Sequence, residues 1–153
     1  MEIRKLHSDE YSAALALIWE TFLRFEAPDY PPEGVQSFKS FIDDPKQITS
    51  LEFFGALEEE MMLGVLAVSG NRKDICCFFV QADRQRQGIG RKLWEYLLAN
   101  SENRLFTVHS SPYAVPVYHK LGFVDTDTER VEDGIRYTPM KYTRKDKDKE
   151  ETR

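Results

Sequence analysis

Between Val80 and Lys92 the chain reads Val-Gln-Ala-Asp-Arg-Gln-Arg-Gln-Gly-Ile-Gly-Arg-Lys, a run that leads from an apolar strand into a helix through a loop holding Gly88 and Gly90. Glycine lets a backbone approach a ligand closely, and the first amides of a helix have no partner inside it, so such a loop can hold an anion. Arg84, Arg86, Arg91 and Lys92 add four positive charges to the same stretch. The combination suits a diphosphate. It also suits an ordinary helix start with a solvated basic face, and the loop alone leaves both open. Two other phosphate motifs fail here. The dinucleotide fingerprint needs a third glycine where Leu93 stands and an acid near Ser110 and Ser111. The Walker loop needs Gly-Lys-Ser/Thr, which the chain lacks.

The elements that must position this loop follow from hydrophobic spacing. Ile3 and Leu6 mark a short first strand, and Ser8 or Asp9 can cap a helix whose apolar stripe is Tyr11, Leu15, Ile18, Phe22 and Phe25. Ala27-Pro28 and Tyr30-Pro31-Pro32 break that helix, and a second covers 33–42 until Asp43-Asp44-Pro45 stops it. Strands at 51–57, 62–69 and 75–81 are joined by short polar turns, which implies antiparallel pairing. A helix over 88–100, with Ile89, Leu93, Tyr96 and Leu97 inward, leads to a strand at 105–109. That strand–helix–strand unit demands one parallel pair. A helix at 112–121, a strand at 123–131, a turn at Glu132-Asp133-Gly134 and a strand at 135–142 complete the pattern. The class is α/β (α+β), with a mixed, mostly antiparallel central sheet of about six to seven strands flanked by about four helices.

Composition bounds the function. The 153 residues fit one domain, read as 1–142, followed by a charged tail at 143–153 with no apolar residue, read as disordered. The opening MEIRKLHSDEY has no apolar signal core, no stretch is long and apolar enough for a membrane span, and the reading is cytoplasmic. Cys76 and Cys77 are adjacent and point to opposite faces of a strand, so they suit neither a disulfide nor a metal site, and no metal spacing occurs elsewhere. Residues 1–70 carry 5 basic against 13 acidic side chains, whereas 71–142 carry 11 against 9. The acidic balance, net −5, argues against general nucleic-acid binding, which needs a basic face.

With the loop and element order in view, the chain resembles the GNAT superfamily of acyl-CoA N-acyltransferases. Its signature Gln/Arg-x-x-Gly-x-Gly/Ala is matched by Gln85-Arg86-Gln87-Gly88-Ile89-Gly90 directly after a strand. A second block, Ser111-Pro112-Tyr113-Ala114-Val115-Pro116-Val117-Tyr118-His119-Lys120-Leu121-Gly122-Phe123, shows the Tyr-x-x-Leu-Gly-Phe pattern typical of the family. Ala82 stands where many members have proline and Arg86 where many have glycine, and neither changes the supply of amides. His109 occupies a place often held by asparagine.

The resemblance implies a metal-free enzyme that takes acetyl from acetyl-CoA and places it on a primary amine of a small molecule or peptide by direct attack. It implies that Phe78, Phe79 and Val80 bind the pantetheine arm through their backbone. The amides of Gln85, Arg86, Gln87, Gly88, Ile89, Gly90 and Arg91 would hold the pyrophosphate, and Tyr118 would protonate the departing thiolate. Leaving thiols have pKa near 8.5 and phenols near 10, so Tyr118 would act mainly by position. A backbone N–H of the Val80 strand could serve the developing oxyanion. For the base, His109, Glu26, Asp29 and Asp83 are candidates without a motif to choose among them. In related folds the first two helices line the acceptor groove, where Glu20, Glu26, Asp29 and Glu33 cluster beside Trp19, Phe22, Phe25 and Tyr30, which points to a cationic amine. A non-catalytic acyl-CoA-binding module is the alternative, and exposed sheet edges leave room for a homodimer.

Overall fold

The computed structural model describes residues 1–145. Its strands are β1 (Glu2–Lys5), β2 (Leu51–Glu58), β3 (Met61–Ser69), β4 (Asp74–Val80), β5 (Leu105–Ser110), β6 (Val124–Asp125), β7 (Arg130–Glu132) and β8 (Ile135–Thr143). Its α-helices are α1 (Tyr11–Phe25), α2 (Pro32–Asp43), α3 (Pro45–Thr49), α4 (Ile89–Ala99) and α5 (Val115–Leu121). The strands form one sheet in the order β1-β2-β3-β4-β5-β8-β6, with β7 paired to β8. Every pairing is antiparallel except β4 with β5, as the strand–helix–strand unit requires. Among the described residues, eight strands and five α-helices exceed the sequence count because one expected strand splits and a short helix was unforeseen.

Both faces of the sheet are covered. Phe22 and Ile18 of α1, with Ile42 of α2, pack on Phe53, Val65, Cys77 and Phe79 on one side. On the other side Ile89, Leu93, Trp94 and Leu97 of α4 meet Leu66, Phe106, Phe123 and Met140. Burying such side chains is worth about 1.5–3 kcal/mol each, so the two cores rather than helix propensity hold α1 and α4 in place. Trp94, not half-buried Tyr96, anchors α4, with ring centroids 5.0–5.2 Å from Phe106, Phe123 and Tyr142.

Four expectations need correction. The helix expected from Pro112 starts at Val115, because the Ser111 carbonyl and hydroxyl both accept the Ala114 N–H (3.1 and 3.3 Å) and make a turn first. The strand expected at 123–131 breaks into β6 and β7. Thr126 N–H donates to the Pro139 carbonyl at 2.8 Å, but proline has no N–H to return, so the ladder lapses there. Helix α3 appears where only a helix stop was read, since Asp44 Oδ1 accepts from the Lys46 amide at 3.0 Å and caps a new turn. The expected domain end at 142 falls short: β8 runs to Thr143, and Arg144 donates to the Leu98 and Ser101 carbonyls at 2.9 and 3.0 Å. Residues 146–153 of the expected tail lie outside the described residues.

The feature that opens the sheet is a bulge. On β3, Ala67 pairs with Cys77 and Val68 with Ile75, so Cys76 has no partner. The parallel pairing of β4 with β5 covers only Asp74↔Thr107 and Ile75↔Val108. An extra residue bends its strand and increases local twist. Beyond Cys76, therefore, β4 leaves β5, and a wedge opens between them.

Candidate active site

The wedge exposes one edge of β4. Gln81 N–H donates to the Leu63 carbonyl at 2.8 Å on the β3 side. Backbone groups alternate along a strand, so Phe79 also faces β3 whereas Phe78 and Val80 present N–H and C=O to the open side. Sequence reasoning placed Phe78, Phe79 and Val80 together; the structure separates them by role. Phe79 lies in the core under α1, and its ring is 6.2 Å from Phe38. Phe78 and Val80 pack toward α4 and carry the backbone edge turned away from β3, where the Val80 carbonyl already accepts from the Gln85 amide at 3.1 Å.

The loop after β4 enters α4 through Gly88, whose φ of +82° is left-handed. A side chain is disfavoured in that conformation. The first helical bond runs from Lys92 N–H to the Gly88 carbonyl at 3.0 Å, so the amides of Ile89, Gly90 and Arg91 precede the helical ladder. A Cβ on Gly90 would lie 3.7 Å from Phe78 and 3.8 Å from Val80, so the protein itself tolerates one there. The loop's cations divide. Arg84 pairs with Glu58 at 3.2 Å and Arg91 donates to the Lys120 carbonyl at 3.2 Å, which ties the loop to the end of α5. Gln85 bridges two elements: its amide donates to the Val80 carbonyl at 3.1 Å, and its oxygen accepts the Tyr113 hydroxyl at 2.8 Å.

Two cavities occupy the wedge. One of about 530 Å³ lies against Val80, Gln85, Arg86, Gly88, Ile89, Gly90 and Arg91; Gln87 does not line it. The other, about 630 Å³, runs along β4 from Asp74 to Phe79, between the aromatic side chains of α1 and α2 and the β7–β8 hairpin. Glu26, Phe78, Phe79, Ala114 and Tyr118 line both. The two volumes meet there.

Tyr118 owes its position to the Leu-Gly-Phe segment. Gly122 takes φ +104° and ends α5, so Phe123 N–H returns to the Tyr118 carbonyl at 3.0 Å. The Tyr118 ring is then held between Phe123 (5.2 Å) and Phe78 (6.1 Å). It is 5% exposed, and its hydroxyl has no protein hydrogen-bond partner among the described residues. Burial, with the charge of Glu26 nearby, pushes the hydroxyl well above the ordinary phenol range, so it stays protonated.

Glu26 follows the last residue of α1. Burial raises its pKa to about 7, the Ser111 hydroxyl bound to it lowers the value in part, and the charge of Asp29 raises it further. Of the candidate bases, Glu26 alone touches both cavities; His109 lines only the second, stacked on Tyr137 at 4.1 Å, and Asp29 and Asp83 line neither. Of the expected acceptor groove, Glu26, Phe22 and Tyr30 line the second cavity, Phe25 lines the first, and Glu20, Glu33 and Trp19 line neither. Asp74, Thr107, Glu132, Asp133 and Tyr137 also line the second cavity, and no sequence signal marked them. Among the described residues no cluster suits a metal ion, and no helix is long and apolar enough to cross a membrane.

Known structures share this fold. A GCN5-related N-acetyltransferase from Rhodopseudomonas palustris superposes with a TM-score of 0.79 at 18% identity, over 93% of this chain and 94% of that one. PaiA N-acetyltransferase from Thermoplasma acidophilum, solved with coenzyme A, gives 0.69 at 17% identity over 93% and 98%. An aminoglycoside 6'-N-acetyltransferase, also complexed with coenzyme A, gives 0.62 at 11% over 94% and 97%. No curated protein sequence matches. At these identities the likeness establishes the fold. The family model described as the acetyltransferase (GNAT) domain matches residues 26–144, and the chain therefore belongs to the GNAT family of acyl-CoA-dependent N-acyltransferases.

Proposed function

We propose that the protein moves an acetyl group from acetyl-CoA to a primary amine by direct attack, and that the residues where the two cavities meet carry out the transfer. That meeting point at Glu26 and Tyr118 carries the reading, because a two-substrate transfer needs both reactants to reach one spot from separate volumes. The loop fits a coenzyme A diphosphate. Its amides at Ile89, Gly90 and Arg91 precede the helix ladder, Gly90 leaves the approach open, and Arg86 supplies positive charge. The edge of β4 turned away from β3, with the Phe78 N–H and C=O and the Val80 N–H, would pair with the amides of the pantetheine arm.

When bound, acetyl-CoA supplies a thioester carbonyl that an amine can attack. The chain's own groups do the rest. Glu26, poised near neutrality, accepts the proton that the attacking nitrogen must lose. A free backbone N–H on the open edge of β4 stabilises charge developing on the carbonyl oxygen, a donor of a kind worth about 3–4 kcal/mol. Tyr118, held protonated, donates a hydrogen bond and then a proton to the sulfur as the C–S bond breaks and the N–C bond forms. The products are an amide and a free thiol. A proton passed from Glu26 back to the Tyr118 oxygen through solvent in the cavity restores both groups for the next turnover.

The test is release of free thiol from acetyl-CoA with a panel of primary amines, for the wild type and for Tyr118→Phe. Turnover that falls in the variant while coenzyme A still binds supports the reading. A wild type that binds coenzyme A yet never releases thiol with any amine would establish the non-catalytic binding module instead.

A further inference from the structure

The turn between β5 and α5 touches both halves of the site. Its Ala114 N–H returns to the Ser111 carbonyl at 3.1 Å. The buried Ser110 hydroxyl donates to the same carbonyl at 3.0 Å, and Pro112 fixes its own φ, so the turn is stiff. Two of its side chains serve different cavities. Ser111 lines the one along β4, and Tyr113 lines the one beside the loop.

Ser111 is buried, and its oxygen accepts the Ala114 N–H at 3.3 Å. A hydroxyl has a single proton to give, and here it goes to the Glu26 carboxylate. The other titratable groups facing Glu26 are Asp29, Tyr30, Cys77 of β4 and Tyr118 of α5, and none of them is a cation. Arg136, whose charge bears on Tyr30, is paired with Glu129 at 3.2 Å. Ser111 is thus the donor that steadies the ionised carboxylate.

Tyr113 makes two contacts of its own. Its ring stacks on Phe25, the last residue of α1, with centroids 5.0 Å apart. Its hydroxyl donates to the Gln85 side-chain oxygen at 2.8 Å, and the Gln85 amide reaches the Val80 carbonyl at 3.1 Å. One side chain therefore ties the end of α1, next to Glu26, to the loop that leads into α4.

We propose that Ser111 and Tyr113 are positioning residues for the transfer: a single turn grips the Glu26 carboxylate and the coenzyme loop together and fixes the separation of base and thioester. The inference rests on the acyl-transfer reading for the roles of Glu26 and the loop. Ser111 acts through Glu26, and Tyr113 acts through Gln85. Neither takes part in a bond that forms or breaks, and their effect is on geometry.

The experiment uses Ser111→Ala, the conservative Ser111→Thr, and Tyr113→Phe, which keeps the stack on Phe25. In Ser111→Ala the rising limb of kcat/KM against pH should move up by about half a unit to one unit, because losing the hydrogen bond favours protonated Glu26. Ser111→Thr should move it back. In Tyr113→Phe the limb should stay, while the KM for acetyl-CoA and the Kd for coenzyme A rise about three- to tenfold. A turn that merely braces α5 would lower melting temperatures and shift neither limb nor KM, and that result overturns the inference. A limb shift that survives in Ser111→Thr assigns it to packing and also overturns it. Two readouts need no turnover: coenzyme A affinity by calorimetry, and Glu26 titration by 13C NMR of carboxyl-labelled protein, its resonance identified by loss in Glu26→Gln. If the wild type releases no thiol, the expected changes in these two readouts uphold the positioning and remove only the catalytic reading. Their absence overturns the positioning itself.

Discussion

The two ends of the wedge are built from different materials. The end proposed for the coenzyme is made of main chain: a strand edge, a left-handed glycine and the opening amides of α4. The end proposed for the acceptor is made of side chains drawn from α1, α2, β4, β5 and the β7–β8 hairpin. Backbone recognition suits a ligand that never changes, since any residue supplies the amides. Side-chain recognition can be rewritten one position at a time without disturbing the fold. One end is generic, the other particular.

Several substitutions would break or sharpen that contrast. The largest effect belongs to Glu26→Gln, which should lower kcat/KM by about 10²–10³ at neutral pH while coenzyme A binding stays within a few-fold. In the wild type kcat/KM should rise with pH through about 7 as Glu26 ionises, and that limb should vanish in the variant. Retention of the limb would assign it elsewhere. Ala114→Leu comes next. It places bulk where both cavities meet, and a misplaced reacting pair loses on the order of 100-fold in transfer, with coenzyme A affinity preserved. Tyr118→Phe should cost about 10–100-fold in kcat, because a buried phenol is a weak acid that works by position. If the variant turns over normally, Tyr118 is only packing for Phe78 and Phe123.

At the generic end Gly88→Ala should destabilise the fold by about 1–2 kcal/mol through its left-handed backbone and weaken coenzyme A binding with it. Gly90→Ala separates the two effects. The fold has room for the methyl, so unchanged melting with weaker coenzyme A binding would show that the ligand uses that space. Stability against pH offers a signal independent of turnover. The raised pKa of Glu26 favours its protonated form in the folded state, so its contribution is fully present below about 4.5 and is lost as pH climbs through about 7. Glu26→Gln should therefore be more stable than wild type at pH 8, by no more than about 3 kcal/mol, and almost equally stable at pH 4.

What the sequence disclosed follows the same division. The coenzyme loop is contiguous, so its glycines, cations and preceding strand could be read in one window, and the Leu-Gly-Phe segment located Tyr118 by the same local logic. The acceptor end depends on where β4 departs from β5, and that is decided at Cys76. The run Ile75-Cys76-Cys77-Phe78-Phe79-Val80 is apolar throughout, so hydrophobic alternation carries no trace of an extra residue. Asp74, Thr107 and Glu132 could not be brought together without it. Glu26 was visible as one acid among several; only the fold showed that it alone reaches both cavities. Strand 123–131 misled for a related reason, since the missing donor at Pro139 lies on a partner strand.

The unpaired Cys76 has a consequence for both cores. The extra residue is absorbed locally: Ile75 before it and Phe78 after it stay in the core under α4, while Cys77 and Phe79 stay in the core under α1, so the sheet can turn one strand edge outward without either core losing its alternation.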